Sequence, residues 1–427
     1  MGDSMKKPLQ INPLKLSQPM GALLAFLGVK NCMPLMHGAQ GCASFTKVFF
    51  TRHFNDPIAI QTTAVNDITA IIDGGDYSIS EAIKNITKKV KPDLVGLFTT
   101  GLTETKGDDI KGATLLVKDK QKIVYVNTPD FEGGLESGWS LSVQAMISQL
   151  IVPQVTINPN KLLLLPNVNL TPIEVEKIKE SIELFGFEVI ALPDISESLD
   201  GHLGEKQGSM SAGGVEVSTI ELLGDSGIVI SIGESMKKCG EKFKEIQPLS
   251  QHFHLSSVSG LIDTDNFYKI LMGYKNIKTP PPSIIRWRKR LQDALLDTHF
   301  LIGSSNIVIA DEADKSYALS KALKEAGAKI SSVIVPTRSA INAFIESEKV
   351  LIGDMEDLEN ALEDCEVIIS NFHAHRIAQK HHKALILRGF PNYEQVGNNM
   401  NNDVLYEGSC YLLFELANLI RESREKH

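Results

Sequence analysis

Ile307-Val308-Ile309-Ala310, then a helical pattern from Asp314 to Gly327, then Val333-Ile334-Val335: this stretch decides the fold. Its first and last parts are β-branched runs, apolar at successive positions, so each strand needs cover on both faces. Between them Ala318, Leu319, Ala322, Leu323 and Ala326 recur at helical spacing on one face. Strand, helix and strand in this order make a βαβ unit with a right-handed crossover. The same alternation extends outward. Leu94 to Thr100, Ile123 to Val126, Leu162 to Leu165, Val189 to Leu192 and Ile228 to Ile232 read as strands, as do Val350 to Ile352, Val367 to Ile369 and Leu385 to Leu387. The pattern predicts an α/β protein built from parallel sheets flanked by helices. A further helix is predicted after Thr171, where Thr171 and Glu174 form a capping box, Pro172 sits at the first position and Gly186 permits the stop.

Two breaks divide the chain. Pro153 to Pro159 is polar and Pro-bearing, and Thr279-Pro280-Pro281-Pro282 cannot be helix or central strand. They predict three Rossmann-like α/β domains, residues 1–158, 159–282 and 283–427, the last entered by a helix from about Ser283 to Thr298. No fixed-period repeat joins the three.

Composition narrows the function classes. With 43% hydrophobic and 22% charged residues, the chain is globular rather than disordered. A net charge of -9 leaves no basic surplus for phosphates, which excludes nucleic acid as the main partner. Five cysteines, an odd number, suit a reducing interior rather than a disulfide framework. Met1 to Leu16 has no apolar core of signal-peptide type, and no run reaches ~18 apolar residues. The expectation is a cytoplasmic protein without a membrane contact. Phosphate loops of the G-x-x-x-x-G-K-[ST] and G-x-G-x-x-G kinds and a G-x-S-x-G elbow are missing.

Two stretches carry chemistry. In His37-Gly38-Ala39-Gln40-Gly41-Cys42 a thiol follows two glycines in a predicted loop, where backbone can approach an inorganic group closely. Thr99-Thr100-Gly101-Leu102-Thr103-Glu104-Thr105-Lys106-Gly107-Asp108-Asp109 lies at the carboxyl end of a strand, where open α/β sheets place ligands. It reads equally as a polar loop with Asp108 or Asp109 capping a helix. Cys239, beside Lys237 and Lys238, reads as a surface residue, and Cys365 and Cys410 as core. Cys32 fits no ligand position. His373, His375, His381 and His382 could together bind a metal, but Arg376, Lys380 and Lys383 among them suggest a solvated face.

Nine motifs, in order along nearly the whole chain, carry a resemblance: Asn12-Pro13-Leu14-Lys15, the His37–Cys42 segment, Arg52-His53-Phe54, Gln61-Thr62-Thr63-Ala64, the Thr99–Asp109 segment, Asn127-Thr128-Pro129-Asp130-Phe131, Ser198-Leu199-Asp200-Gly201-His202-Leu203, Leu291 to Phe300, and Arg388-Gly389-Phe390-Pro391. The sequence resembles the β-type chains of the nitrogenase component 1 family, and most closely their cofactor-maturation scaffolds. In catalytic β chains of that family three cysteines hold a bridging iron–sulfur cluster. Those positions fall here on Ser17, Cys42 and Gly101, so Cys42 alone keeps a thiolate. The resemblance therefore implies a scaffold rather than an enzyme, with Cys42 as its metal ligand and no catalytic residue. It implies one [4Fe-4S] cluster shared with a NifE-type partner in an α2β2 heterotetramer. The iron–molybdenum cofactor precursor would be held mainly by that partner, with a NifB-type cluster donor and a docking Fe protein as further partners. Two rivals stay open at this stage: a catalytic β-type subunit of a nitrogenase or related tetrapyrrole reductase, and a non-redox α/β metabolite-binding protein.

Overall fold

A computed structural model describes residues 12–50, 58–63, 65, 75–117, 121–202, 210–392 and 395–425. Of the motifs above, Arg52-His53-Phe54, Ala64 and Leu203 lie outside these residues. Thirteen strands among the described residues form three sheets, parallel throughout. The first contains β1 (Cys32–His37), β2 (Gln61–Thr62), β3 (Leu94–Thr99) and β4 (Ile123–Val126), in the order β2-β1-β3-β4. The second contains β5 (Asn158–Leu165), β6 (Glu188–Ala191), β7 (Ser226–Ile232) and β8 (Gln251–Leu255), ordered β6-β5-β7-β8. The third contains β9 (Asn306–Ala310), β10 (Lys329–Val335), β11 (Val350–Ile352), β12 (Val367–Ser370) and β13 (Ala384–Leu387), ordered β11-β10-β9-β12-β13. In each, the chain steps outward on one side, then crosses to the other, which leaves a crevice at the carboxyl ends of the two middle strands.

The strand period of two sorts side chains between layers. In the first sheet Cys32, Met36, Leu94 and Phe98 face one continuous core that also contains buried residues of the other two sheets. Met33, Leu35, Val95 and Leu97 face the opposite way, onto Ile79, Ile83 and Ile86 of the helix Asp76–Lys89. The helices Gln18–Leu27 and Leu135–Leu150 cross so closely that a Cβ at Gly138 would lie 1.9 Å from the Gln18 carbonyl oxygen, and one at Gly21 2.1 Å from that of Leu135. Only glycine permits this approach, and it fixes where Ser17, just before the first helix, must sit.

The βαβ reading holds: the helix Ala313–Glu325 joins β9 to β10, with Gly327 at φ 87° after it. The capping box also forms, as Thr171 Oγ1 accepts from the Glu174 N–H and Glu174 Oε2 from the Thr171 N–H. Several elements differ from expectation. The strand expected at Leu162 begins at Asn158 and takes in Pro159, which the irregular register between Asn158 and Leu162 excuses from ladder bonding. β1 is not among the strands expected from the sequence; it contains Pro34, which disfavours a central strand. Its neighbour β2 pairs only Leu35 and Met36, so one side of Pro34 needs no donor. β8, Gln251-His252-Phe253-His254-Leu255, hides behind two histidines. Among the described residues no helix is long and apolar enough to cross a membrane.

Candidate metal centre

His37 and Thr99 are register partners at the carboxyl ends of β1 and β3, the two strands flanking the crevice of the first sheet. Two of the three positions singled out in sequence follow directly from these strand ends. Cys42 lies not in a loop, as expected, but in the first turn of the helix Gln40–Phe50, where its N–H donates to the Ala39 carbonyl. The glycines before it do different jobs. A Cβ at Gly38 would lie 2.8 Å from Thr100, so Gly38 lets the two strand ends close up, whereas Gly41 faces open space. The Thr99–Asp109 segment likewise holds a short helix, Gly101–Lys106, followed by Gly107, left-handed at φ 76°, and ends at the cap of the next helix, Ile110–Leu115. Asp109 caps the second by accepting from the Gly112 N–H at 2.9 Å.

A buried hub holds these ends together. His37 is fully buried; its Nδ1 meets Thr63 Oγ1 at 2.9 Å and its Nε2 meets Asp108 Oδ2 at 3.0 Å. The His37 carbonyl accepts from the hydroxyls of Thr100 and Thr103 at 3.1 and 3.0 Å. Asp108 also accepts from the Gly75 N–H, which ties in the helix Asp76–Lys89. This hub was not legible as such: the sequence offers a histidine, a threonine and an aspartate 71 residues apart at most.

The segment after β4 bears on Gly101, on Cys42 and on the residue after Ser17. Asp130 Oδ2 accepts from the Gly101 N–H at 2.9 Å. A Cβ at Gly101 would lie 3.2 Å from that oxygen and 3.5 Å from the Phe131 ring. Ser17 precedes Gln18, whose amide donates to Ser137 Oγ at 3.0 Å. The Asp130 charge also reaches Cys42: partial burial, and then that carboxylate, raise the thiol above its ordinary value. Burial raises Asp130 itself, with the Gly101 N–H acting in the other direction. Asp130 and Phe131 belong to a quoted motif, yet nothing in sequence pointed to this placement.

Cys42 is the exposed cysteine among the five; Cys32, Cys239, Cys365 and Cys410 are buried. The Cys239 expectation is corrected: Lys237 and Lys238 face solvent, but Cys239 turns inward, its Sγ 3.4 Å from Ser140 Oγ, and burial pushes its thiol up to about 12. Burial does the same to Cys365, to about 12, and drives Cys32 higher still. These thiols stay protonated and have no path to a metal. The helix surface around Cys42 is mixed: Phe45, one turn on, is 72% exposed, and Gln40, Ser44 and Lys47 are exposed with it, while Phe131, beside Gly101, is 63% exposed. No three His, Cys, Asp or Glu side chains among the described residues group as a metal site. That includes the histidines: His381 bonds Glu359, His375 meets Gln379, and His382 is exposed at φ 52°. Among the described residues the chain can thus offer a metal group one thiolate from an open surface and no complete ligand set.

Comparison with known proteins matches the same region. The family model for nitrogenase component 1 type oxidoreductases matches residues 17–421. The nitrogenase iron-molybdenum cofactor biosynthesis protein NifN of Rippkaea orientalis is 36% identical over 99% of this chain and 96% of its own length. NifN of Rhodobacter capsulatus is 35% identical over 97% and 92%, and that of Klebsiella pneumoniae 33% over 97% and 92%. A solved structure of nitrogenase Cp1 at pH 6.5 superposes with a TM-score of 0.93 at 28% identity, covering 100% of this chain and 96% of that one. A chain of nitrogenase Cp1 at pH 5, 14% identical, shares the fold with a TM-score of 0.71. The chain belongs to the nitrogenase component 1 type oxidoreductase family, within the group that the NifN proteins form.

Proposed function

We propose that this chain serves iron–molybdenum cofactor biosynthesis as the β-type subunit of a NifEN-type scaffold, supplying Cys42 to a [4Fe-4S] cluster whose other three ligands come from a NifE-type partner. Family membership and the NifN relatives support the setting. One observation carries the role: of the three positions the family uses, Cys42 alone keeps a thiolate, and it stands exposed with no further ligands grouped around it among the described residues. A four-iron cluster takes four cysteines, so three must be supplied from outside. The open space at Gly41 leaves room for a bulky group beside the thiol. A raised thiol gives up its proton on ligation, which makes binding pH-dependent. The exposed Phe45, one turn from the thiol, suits contact with a partner. Two such pairs would form the α2β2 complex, in which the partner holds the cofactor precursor and the Fe protein docks. This chain is then a scaffold with no catalytic residue of its own.

The test is iron quantification and electron paramagnetic resonance of the reduced complex, wild type against Cys42→Ala. The expected result is loss of the four-iron signal and a weaker subunit contact, with the partner's precursor little affected. Full iron and an unaltered signal in the variant would show that Cys42 is not a ligand. Substantial acetylene reduction by the wild-type complex would favour a catalytic subunit instead.

A further inference from the structure

The three α/β units meet over a set of buried carboxyl groups. Glu136 begins the helix Leu135–Leu150 of the first unit, and its Oε1 accepts from the Asp314 N–H of the third unit at 2.8 Å and from Asn169 Nδ2 of the second at 2.7 Å. Asp314 in turn accepts from the N–H groups of Glu234 and Ser235 and the Ser235 hydroxyl of the second unit, the last at 2.6 Å. Two carboxyls thus tie all three units together. Beside them lies Glu312, only 5% exposed, with neither carboxyl oxygen hydrogen-bonded, and Asp311, whose Oδ2 also has no partner.

The charges around this quartet do not balance. Glu312 faces Asp311, Asp314 and Glu136, with Lys15 as the cation acting on it. Asp314 faces Glu136 and Glu234. Asp311 faces Lys315 and Arg388, but both cations already bond Asp403. Four buried carboxylates cannot all stay ionised here, because each bare charge costs several kcal/mol to bury unpaired. We propose that this junction is a proton-held latch: while the quartet keeps protons the third unit stays locked onto the first two, and a rise in pH that removes them loosens it. Burial pushes Asp311 and Asp314 up to about 6 and raises Glu136 and Glu312 as well, so the first protons leave near pH 6.

Hydrogen exchange read by mass spectrometry on the full chain in its complex tests this, with each rate divided by the intrinsic chemical rate at that pH. Peptides covering residues 311–319 and 233–240 should lose protection about ten-fold or more as the pH rises through about 6, from about pH 5 to about pH 8, while the centres of β7 and β9 hold theirs. Glu312→Gln removes the charge at equal size and should flatten that slope, whatever it does to the level. If Glu312→Gln does not fold, Glu136→Gln decides, because its amide oxygen can still accept both bonds. Protection independent of pH in the wild type, or a wild-type slope in the variant that folds, overturns the latch.

Discussion

At Gly101 a Cβ would lie 3.2 Å from Asp130 Oδ2, so Asp130, which also holds the Gly101 N–H, has to give by a few tenths of an ångström. Gly101→Cys alone is expected to leave the iron content of the complex unchanged, because its thiol would crowd the Asp130 carboxylate. Iron analysis checks this; an added iron in the single variant would show that Asp130 yields easily. Cys32→Ser, Cys239→Ser and Cys365→Ser should also leave iron unchanged, since all three thiols are buried and held protonated. They should lower stability, because each swaps a weakly polar sulfur for a hydroxyl in the core. Loss of about one cluster's iron from any of them would mean that the wrong thiol has been identified.

Among the elements, the helix Pro172–Glu183 shows best how local sequence and long-range packing share a residue. Thr171 caps it, and the same hydroxyl donates to the Asn401 carbonyl at 2.7 Å, joining the second unit to the third. Thr171→Ala should cost about 1 kcal/mol for the cap alone, and more with the second bond lost; urea unfolding measures it. The cap was legible because its four residues are contiguous. The strands rich in Val, Ile and Leu were legible for the same reason, each carrying its own two-sided apolar signal. β1 and β8 were not, since a proline and two histidines become acceptable only once neighbours are placed. The site divides in the same way. Cys42 and Gly101 could be named from motifs, but the role of Asp130 depends on β4 lying beside β3, and the His37 hub on four segments meeting. Cys239 misled because its lysine neighbours describe one helix face and the thiol occupies the other.

For the whole molecule, protonation sets the range of stability. Asp311 and Asp314, up to about 6 when folded, sit near 3.9 in an unfolded chain. Between those values the folded chain binds more protons than the unfolded one, so stability falls as pH rises through the interval, and Glu136 and Glu312 act in the same direction. Asp403 acts oppositely: Arg388 and Lys315 hold it well below its ordinary value, so its contribution is lost only in strong acid. Thermal unfolding should therefore show a midpoint that declines from about pH 4 to about pH 6. A midpoint that rises across that interval would contradict the protonated junction. Arg388→Ala, which strips Asp403 of a bidentate partner inside the protein, should cost about 3–5 kcal/mol by the same measurement.

The Asp130 carboxylate beside Gly101 also couples the two positions. A side chain at 101 crowds Asp130, and a change at 130 alone leaves the Gly101 N–H without its acceptor. A substitution at either residue is therefore felt at the other, so the pair is expected to behave non-additively when both are changed.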